Sequence, residues 1–261
     1  IVQLEEEEEE EESGEEEEEE EGGGLLVRRQ LKRRLAVAVA LVHATPVKQT
    51  NAKSADVNAA ADSHVDPVAR YLNYREAFLE GQLDPCFSTL TTFELTFVVD
   101  GDEPDDVAHW GRRMLRNYRP DHVLTDNGEW RYVNIVRSDV RYTPSGPSHD
   151  SAALHKYQNI LMNGGVCGRR AFFGRFILRA FGIPTTARPS PGHGALCHLC
   201  PPTTTNNNTN RWCVNLGGRW GCGTTKTRNY RKDLDFLSTT QARTYDPSKY
   251  WSNVKICQLI G

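Results

Sequence analysis

The chain has 261 residues, with 31 Lys plus Arg against 35 Asp plus Glu and a formal net charge of -4. Fifteen of those acids are glutamates in two runs, 5–12 and 15–21, so the remaining twenty acids leave a balance of +11. A hydrophobic content of 38%, with no apolar run near the roughly 20 residues that span a bilayer, excludes a collagen, a coiled coil and a multi-span membrane protein.

Residues 5–24 place like charges side by side and offer nothing apolar to bury, so 1–24 reads as a disordered acidic tail. Five bases between positions 28 and 34 then precede the apolar run LAVAVALV (35–42) and the small residues that follow it. That order resembles a secretory signal, which would send the chain into the secretory pathway. A short amphipathic or structureless segment in a cytoplasmic chain is the other reading. Residues 44–66 are rich in Ala, Ser, Asn, Asp and Thr and read as a linker. The expected layout is thus a signal-like segment and linker over 25–65 and a globular domain over 66–261. The domain's length of about 190 residues suffices for a real core.

Within that domain, apolar residues at 68, 71, 72, 78 and 79 predict a helix over 67–79 that ends at Gly81. Alternation across 93–99 predicts a half-buried strand. Residues 105–118 predict a helix, with acids at its start and Arg112, Arg113 and Arg116 towards its end, as the helix dipole favours. Residues 130–142 are strand-like. Asp150 or Ser151 can cap a helix running to Met162, and Gly164 and Gly165 end it. The next helix runs from 167 to 181, stopped by Gly182-Ile183-Pro184. Short strands follow near 195–199 and 211–216, with the TTTNNNTN insert (203–210) as a loop between them. Helices first and strands later indicate an α+β architecture.

The chemistry centres on Cys167 in GGVCGRR (164–170), at the opening of a helix. A first helical turn presents unpaired N–H groups and a partial positive charge, which favour a thiolate, and Arg169 and Arg170 act in the same direction. Glycines on both sides let a substrate backbone come close, and the Cys167 amide could serve an oxyanion. A thiolate needs a base. His193 in PGHGAL (191–196) stands at the glycine-flanked mouth of a strand. His198 takes the opposite strand face and reads as packing or capping. The group that orients the imidazole is Asn215 in WCVN (212–215), after an apolar strand.

Together these three stretches resemble a transglutaminase-like domain of the papain-like cysteine enzyme superfamily, over about 150–222. The resemblance implies a nucleophile helix packed on a small antiparallel sheet. It also implies Cys167 as nucleophile, His193 as general base and acid, and Asn215 as the orienting residue. The implied reaction is thiolate attack on a carboxamide or peptide carbonyl of a protein or peptide substrate, through an acyl-enzyme that water hydrolyses or an amine cross-links. No cofactor or metal is implied, since no carboxylate-rich loop resembles a calcium site.

Two other readings stand beside it. Ala195, where the family commonly has an aromatic, and Asn215, where it commonly has an acid, suit an inactive binding module on the same fold. Cys197, Cys200, Cys213 and Cys222, with His193 and His198 nearby, could hold zinc, although the second cysteine pair lacks ligand spacing. Apart from Cys167 the cysteines number six (86, 197, 200, 213, 222 and 257), an even set that fits disulfides in a secreted chain with open connectivity. Asn207 would be a glycosylation acceptor in that setting. The basic residues from Arg112 to Arg119 carry no nucleic-acid-binding motif and read as a solvated helix face, so no nucleic-acid partner is expected.

Overall fold

The structure is a computed structural model that describes residues 22–49, 64–118, 139–143, 152–188, 194–200 and 211–213. Among them are six α-helices and a three-stranded antiparallel sheet. The helices are α1 (Gly22–Val42), α2 (Pro67–Leu79), α3 (Thr92–Val99), α4 (Asp105–Tyr118), α5 (Lys156–Asn163) and α6 (Cys167–Ala180). The strands are β1 (Thr185–Arg188), β2 (Ala195–Cys200) and β3 (Arg211–Cys213). The chain is therefore helix-rich with a small antiparallel sheet, an α+β arrangement. None of the described helices is long and apolar enough to cross a membrane.

The chain divides into two compact units. The first comprises Ile1–Met114, Ser151–Lys156 and Arg179–Pro184, and the second the remainder. In the first, α1 buries Leu31, Leu35, Ala38 and Val39, a stripe at helical spacing, and packs against α2, α3 and the 3-10 turn Pro85–Thr89. The segment expected to precede the globular part thus contributes to its core. Residues 1–21 of the acidic tail lie outside the described residues.

Residues 93–99 form a helix and not the expected strand. Thr91 and Glu94 make a capping box: the Glu94 amide donates to Thr91 Oγ1 at 3.2 Å, and the Thr91 amide donates to Glu94 Oε2 at 2.8 Å. Leu95, Val98 and Val99 are fully buried. Apolar residues at 93, 95, 97, 98 and 99 satisfy either period, and the cap together with packing on α1 selects the helix.

Helix α2 has the expected bounds. Asp66 caps it, accepting from the Val68 amide at 2.8 Å, and Gly81 follows it at φ 63. Its inward face is Arg70, Tyr71, Tyr74 and Ala77, whereas Leu79 is half exposed. Arg70 donates to three backbone carbonyls and to Asp105. Arg112 of α4 is buried too, against the expectation of a solvated face. It donates to Gln82 Oε1, the Ala180 carbonyl and Asn73 Oδ1. Arg113 and Arg116 are exposed as expected, and Arg119 lies outside the described residues.

His155 is buried with its ring edge-on to Trp110, centroids 4.4 Å apart. Burial lowers its pKa from 6.5 to about 4, and Asp106 opposes the shift. Burial also lowers His43, whose Nε2–H donates to the Val99 carbonyl at 3.2 Å. A histidine kept neutral in the folded chain takes up its proton on unfolding. Its stabilising contribution is therefore complete above about pH 6.5 and falls as the pH drops towards about 4. The urea midpoint should be lower at pH 4.5 than at pH 7, and His155→Gln should narrow that difference. An equal pH dependence in the variant would show that other groups carry it.

Helix α5 starts at Lys156, later than the caps at 150 and 151 predict, and Leu154 is left exposed. Tyr157 stacks on Phe176 at 3.7 Å and on Phe172 at 5.2 Å, tying α5 to α6. Gly164 ends α5 at φ 71, and a Cβ there would meet the Arg141 carbonyl oxygen. Of the strand-like stretch 130–142, residues 130–138 lie outside the described residues. Tyr142 forms an isolated parallel bridge with Gly165.

The sheet has the order β1-β2-β3. Thr186 stands opposite Cys197, and His198 opposite Cys213. β1 was not anticipated. The insert 203–210 and residues 214–216 lie outside the described residues.

Candidate functional site

Cys167 is the first residue of α6, a free thiol and partly buried. Local backbone geometry fixes that position. Gly164 in the left-handed region closes α5 by donating its amide to the Ile160 carbonyl at 2.7 Å. The Gly165 amide then donates to the Arg141 carbonyl at 3.0 Å, and the first turn of α6 closes with the Arg170 amide on the Val166 carbonyl at 3.1 Å. The thiol therefore sits where a helix begins, and that helix buries its own Phe173, Phe176 and Ile177.

The entry to β2 meets this turn. The Gly194 amide donates to Cys167 Sγ at 3.5 Å. A Cβ on Gly194 would run into Gly168 Cα and stand 2.8 Å from Gly168 N. Two glycine backbones thus touch with no side chain between them, which only glycine permits at this approach. Gly194 follows His193 directly in the sequence, and the contact joins positions 27 residues apart.

The neighbouring arginines have partners of their own. Arg169 Nη2 donates to Asn159 Oδ1 at 3.3 Å, and burial lowers its guanidinium pKa from the ordinary value. Arg170 lies over the Tyr142 ring, 5.9 Å from its centroid. Asn159 also accepts from Asn163 Nδ2 at 2.8 Å, while Thr143 Oγ1 donates to the Asn163 carbonyl at 3.1 Å. This small polar cluster behind the Cys167 turn was not read from the sequence. Asn159 and Asn163 are four apart on one helix, and that spacing was the available signal.

His193 and Asn215 lie outside the described residues. The structure brings Cys167 together with Gly194. His198 is buried within β2, and the adjacent Cys197 is fully buried. Successive strand residues point to opposite faces, so these two do not converge. Among the described residues no three His, Cys, Asp or Glu side chains gather as metal ligands would.

A cysteine-led helix touched by a strand entry defines the site, within an α+β chain. Comparison with family models, curated proteins and solved structures finds no match to this chain.

Proposed function

We propose that residues 66–261 form a transglutaminase-like domain with a papain-like core over about 150–222, and that the chain carries out cysteine-dependent acyl chemistry on the amides of a protein or peptide. The observation that supports this reading is the Gly194 amide on the Cys167 thiol, which ties the helix start to the segment carrying His193. Sγ attacks a carboxamide or peptide carbonyl carbon and a C–S bond forms. The C–N bond then breaks, and the leaving amine or ammonia takes the proton that His193 removed from the thiol. Water or a second amine next attacks the thioester carbonyl, His193 accepts the nucleophile's proton, and the C–S bond breaks to restore the thiol. Asn215 holds the imidazole through a hydrogen bond and adds no charge.

The experiment is adduct trapping. The full chain is mixed with glutamine-containing peptides, quenched in acid and analysed by mass spectrometry. The expected product is the peptide acyl group, less ammonia, on the fragment bearing Cys167. Label on another cysteine, or none on Cys167 when iodoacetamide shows that thiol to be accessible, would sink the reading.

A further inference from the structure

Just before the Cys167 turn the chain pairs with the short segment Arg141-Tyr142-Thr143. The Gly165 amide donates to the Arg141 carbonyl at 3.0 Å, and the Thr143 amide donates to the Gly165 carbonyl at 3.3 Å. Both bonds use the residues on either side of Tyr142, which stands opposite Gly165 in a parallel bridge. In a parallel ladder the residue so placed aims its own N–H and C=O away from that partner. Those two groups of Tyr142 make no backbone hydrogen bond among the described residues, and the residue is 57% exposed. They form an open strand edge one residue long.

The edge is held in place. Thr143 Oγ1 donates to the Asn163 carbonyl at 3.1 Å, and the Tyr142 ring lies under the Arg170 guanidinium. Gly164 leaves the room that the Arg141 carbonyl needs. The edge is also near the sulfur. Gly165 precedes Cys167 by two residues, a span of at most about 7 Å, and each paired strand adds about 4.8 Å sideways.

We propose that the Tyr142 edge takes the substrate as an added strand, its N–H and C=O pairing with one residue of an extended peptide about two to four positions from the attacked amide. The inference rests on acyl chemistry at Cys167 and names its substrate class, an extended polypeptide segment bound through main-chain hydrogen bonds. A proline or N-methyl residue at the paired position has no N–H to donate and is rejected. A glutamine within a helix is rejected as well, because its neighbours' backbone groups are already paired.

The test uses the full chain labelled with ¹⁵N-tyrosine, the Tyr142 amide signal being identified by its loss in Tyr142→Phe. Proline-free, glutamine-centred octapeptides are titrated in. At about ten times the dissociation constant, hydrogen exchange of the Tyr142 amide should slow about tenfold. In a series of the same peptide with one N-methyl group moved along it, one position should weaken binding about tenfold, the effect of one lost hydrogen bond. Peptide adducts on Cys167 with an unchanged Tyr142 amide, or a flat N-methyl series, overturn the proposal and leave the acyl chemistry standing. A protected Tyr142 amide without adducts keeps the edge as a peptide-binding strand and removes the chemistry. Absence of both protection and adducts overturns both.

Discussion

Cys167→Ala is expected to abolish acyl transfer, by about 10⁴-fold or more as nucleophile deletions do in hydrolases that form acyl-enzymes, while the chain keeps its fold. The first half of that expectation follows from the proposed chemistry, since no other atom at the site would form the thioester. The second half follows from packing. Sγ accepts one long hydrogen bond, from Gly194 at 3.5 Å, and the thiol is only partly buried. The helix is anchored elsewhere, by its own buried Phe173, Phe176 and Ile177 and by Gly164 before it. Removing one sulfur there should cost no more than about 1 kcal/mol. Far-UV circular dichroism and the urea midpoint would record the fold, and amine incorporation or ammonia release from glutamine peptides the activity. Turnover that survives in the alanine variant removes Cys167 from the mechanism.

Gly194→Ala supplies the contrast. It keeps the thiol but sets a Cβ against Gly168, so the strand entry must move away from the helix start. Overpacking of this kind costs about 1–3 kcal/mol, and a displacement near 1 Å at a reacting pair costs about 100-fold in rate. Graded loss in this variant beside complete loss in Cys167→Ala distinguishes a site that needs the backbone contact from one that needs the sulfur alone.

What the sequence revealed depended on whether the deciding contacts were local. Helix α4 has the expected bounds because Asp105 and Asp106 at its start and Arg116 at its end suit the dipole within the segment itself. Helix α6 was legible because Gly164 and Gly182 bracket it, both at positive φ. α3 misled because its apolar residues fit two periods, and the deciding partner, α1, lies over fifty residues away. β1 escaped notice because four residues, TTAR, carry too little pattern. At the site, Cys167 announced itself through its flanking glycines. The glycine after His193 was visible as well, but not that its amide would reach the sulfur.

Buried cations were the least legible feature, since charge ordinarily marks a surface. Arg70→Met is expected to destabilise the first unit by about 3–5 kcal/mol, the range for removing one member of a buried ion pair. The guanidinium is almost wholly buried. Nε donates to Asp105 Oδ1 at 2.6 Å, Nη1 to the Val99 and Gly101 carbonyls at 3.0 Å, and Nη2 to the Glu103 carbonyl at 2.6 Å. Burial alone would lower its pKa, but Glu103 and Asp105 outweigh burial and raise it.

Methionine fills much of the same volume, yet it takes a donor from three carbonyls and from the Asp105 carboxylate; His43 still donates to the Val99 carbonyl and Asn73 to Asp105 Oδ1, and neither replaces the buried cation. Lysine should rescue little, because one ammonium cannot reproduce a planar fork that reaches four acceptors. Asp105 gives the pH signature. Burial raises its pKa and Arg70 holds that rise down. Without Arg70 the carboxyl rises further, so the variant's folded state takes up a proton at higher pH than its unfolded state does. Acidification then favours the folded variant more than the folded parent. The stability gap should be widest near neutral pH and should narrow towards pH 4. Urea titrations of both proteins across that range would measure it, and a gap that widened on acidification would show that the Asp105 carboxylate is not what Arg70 compensates.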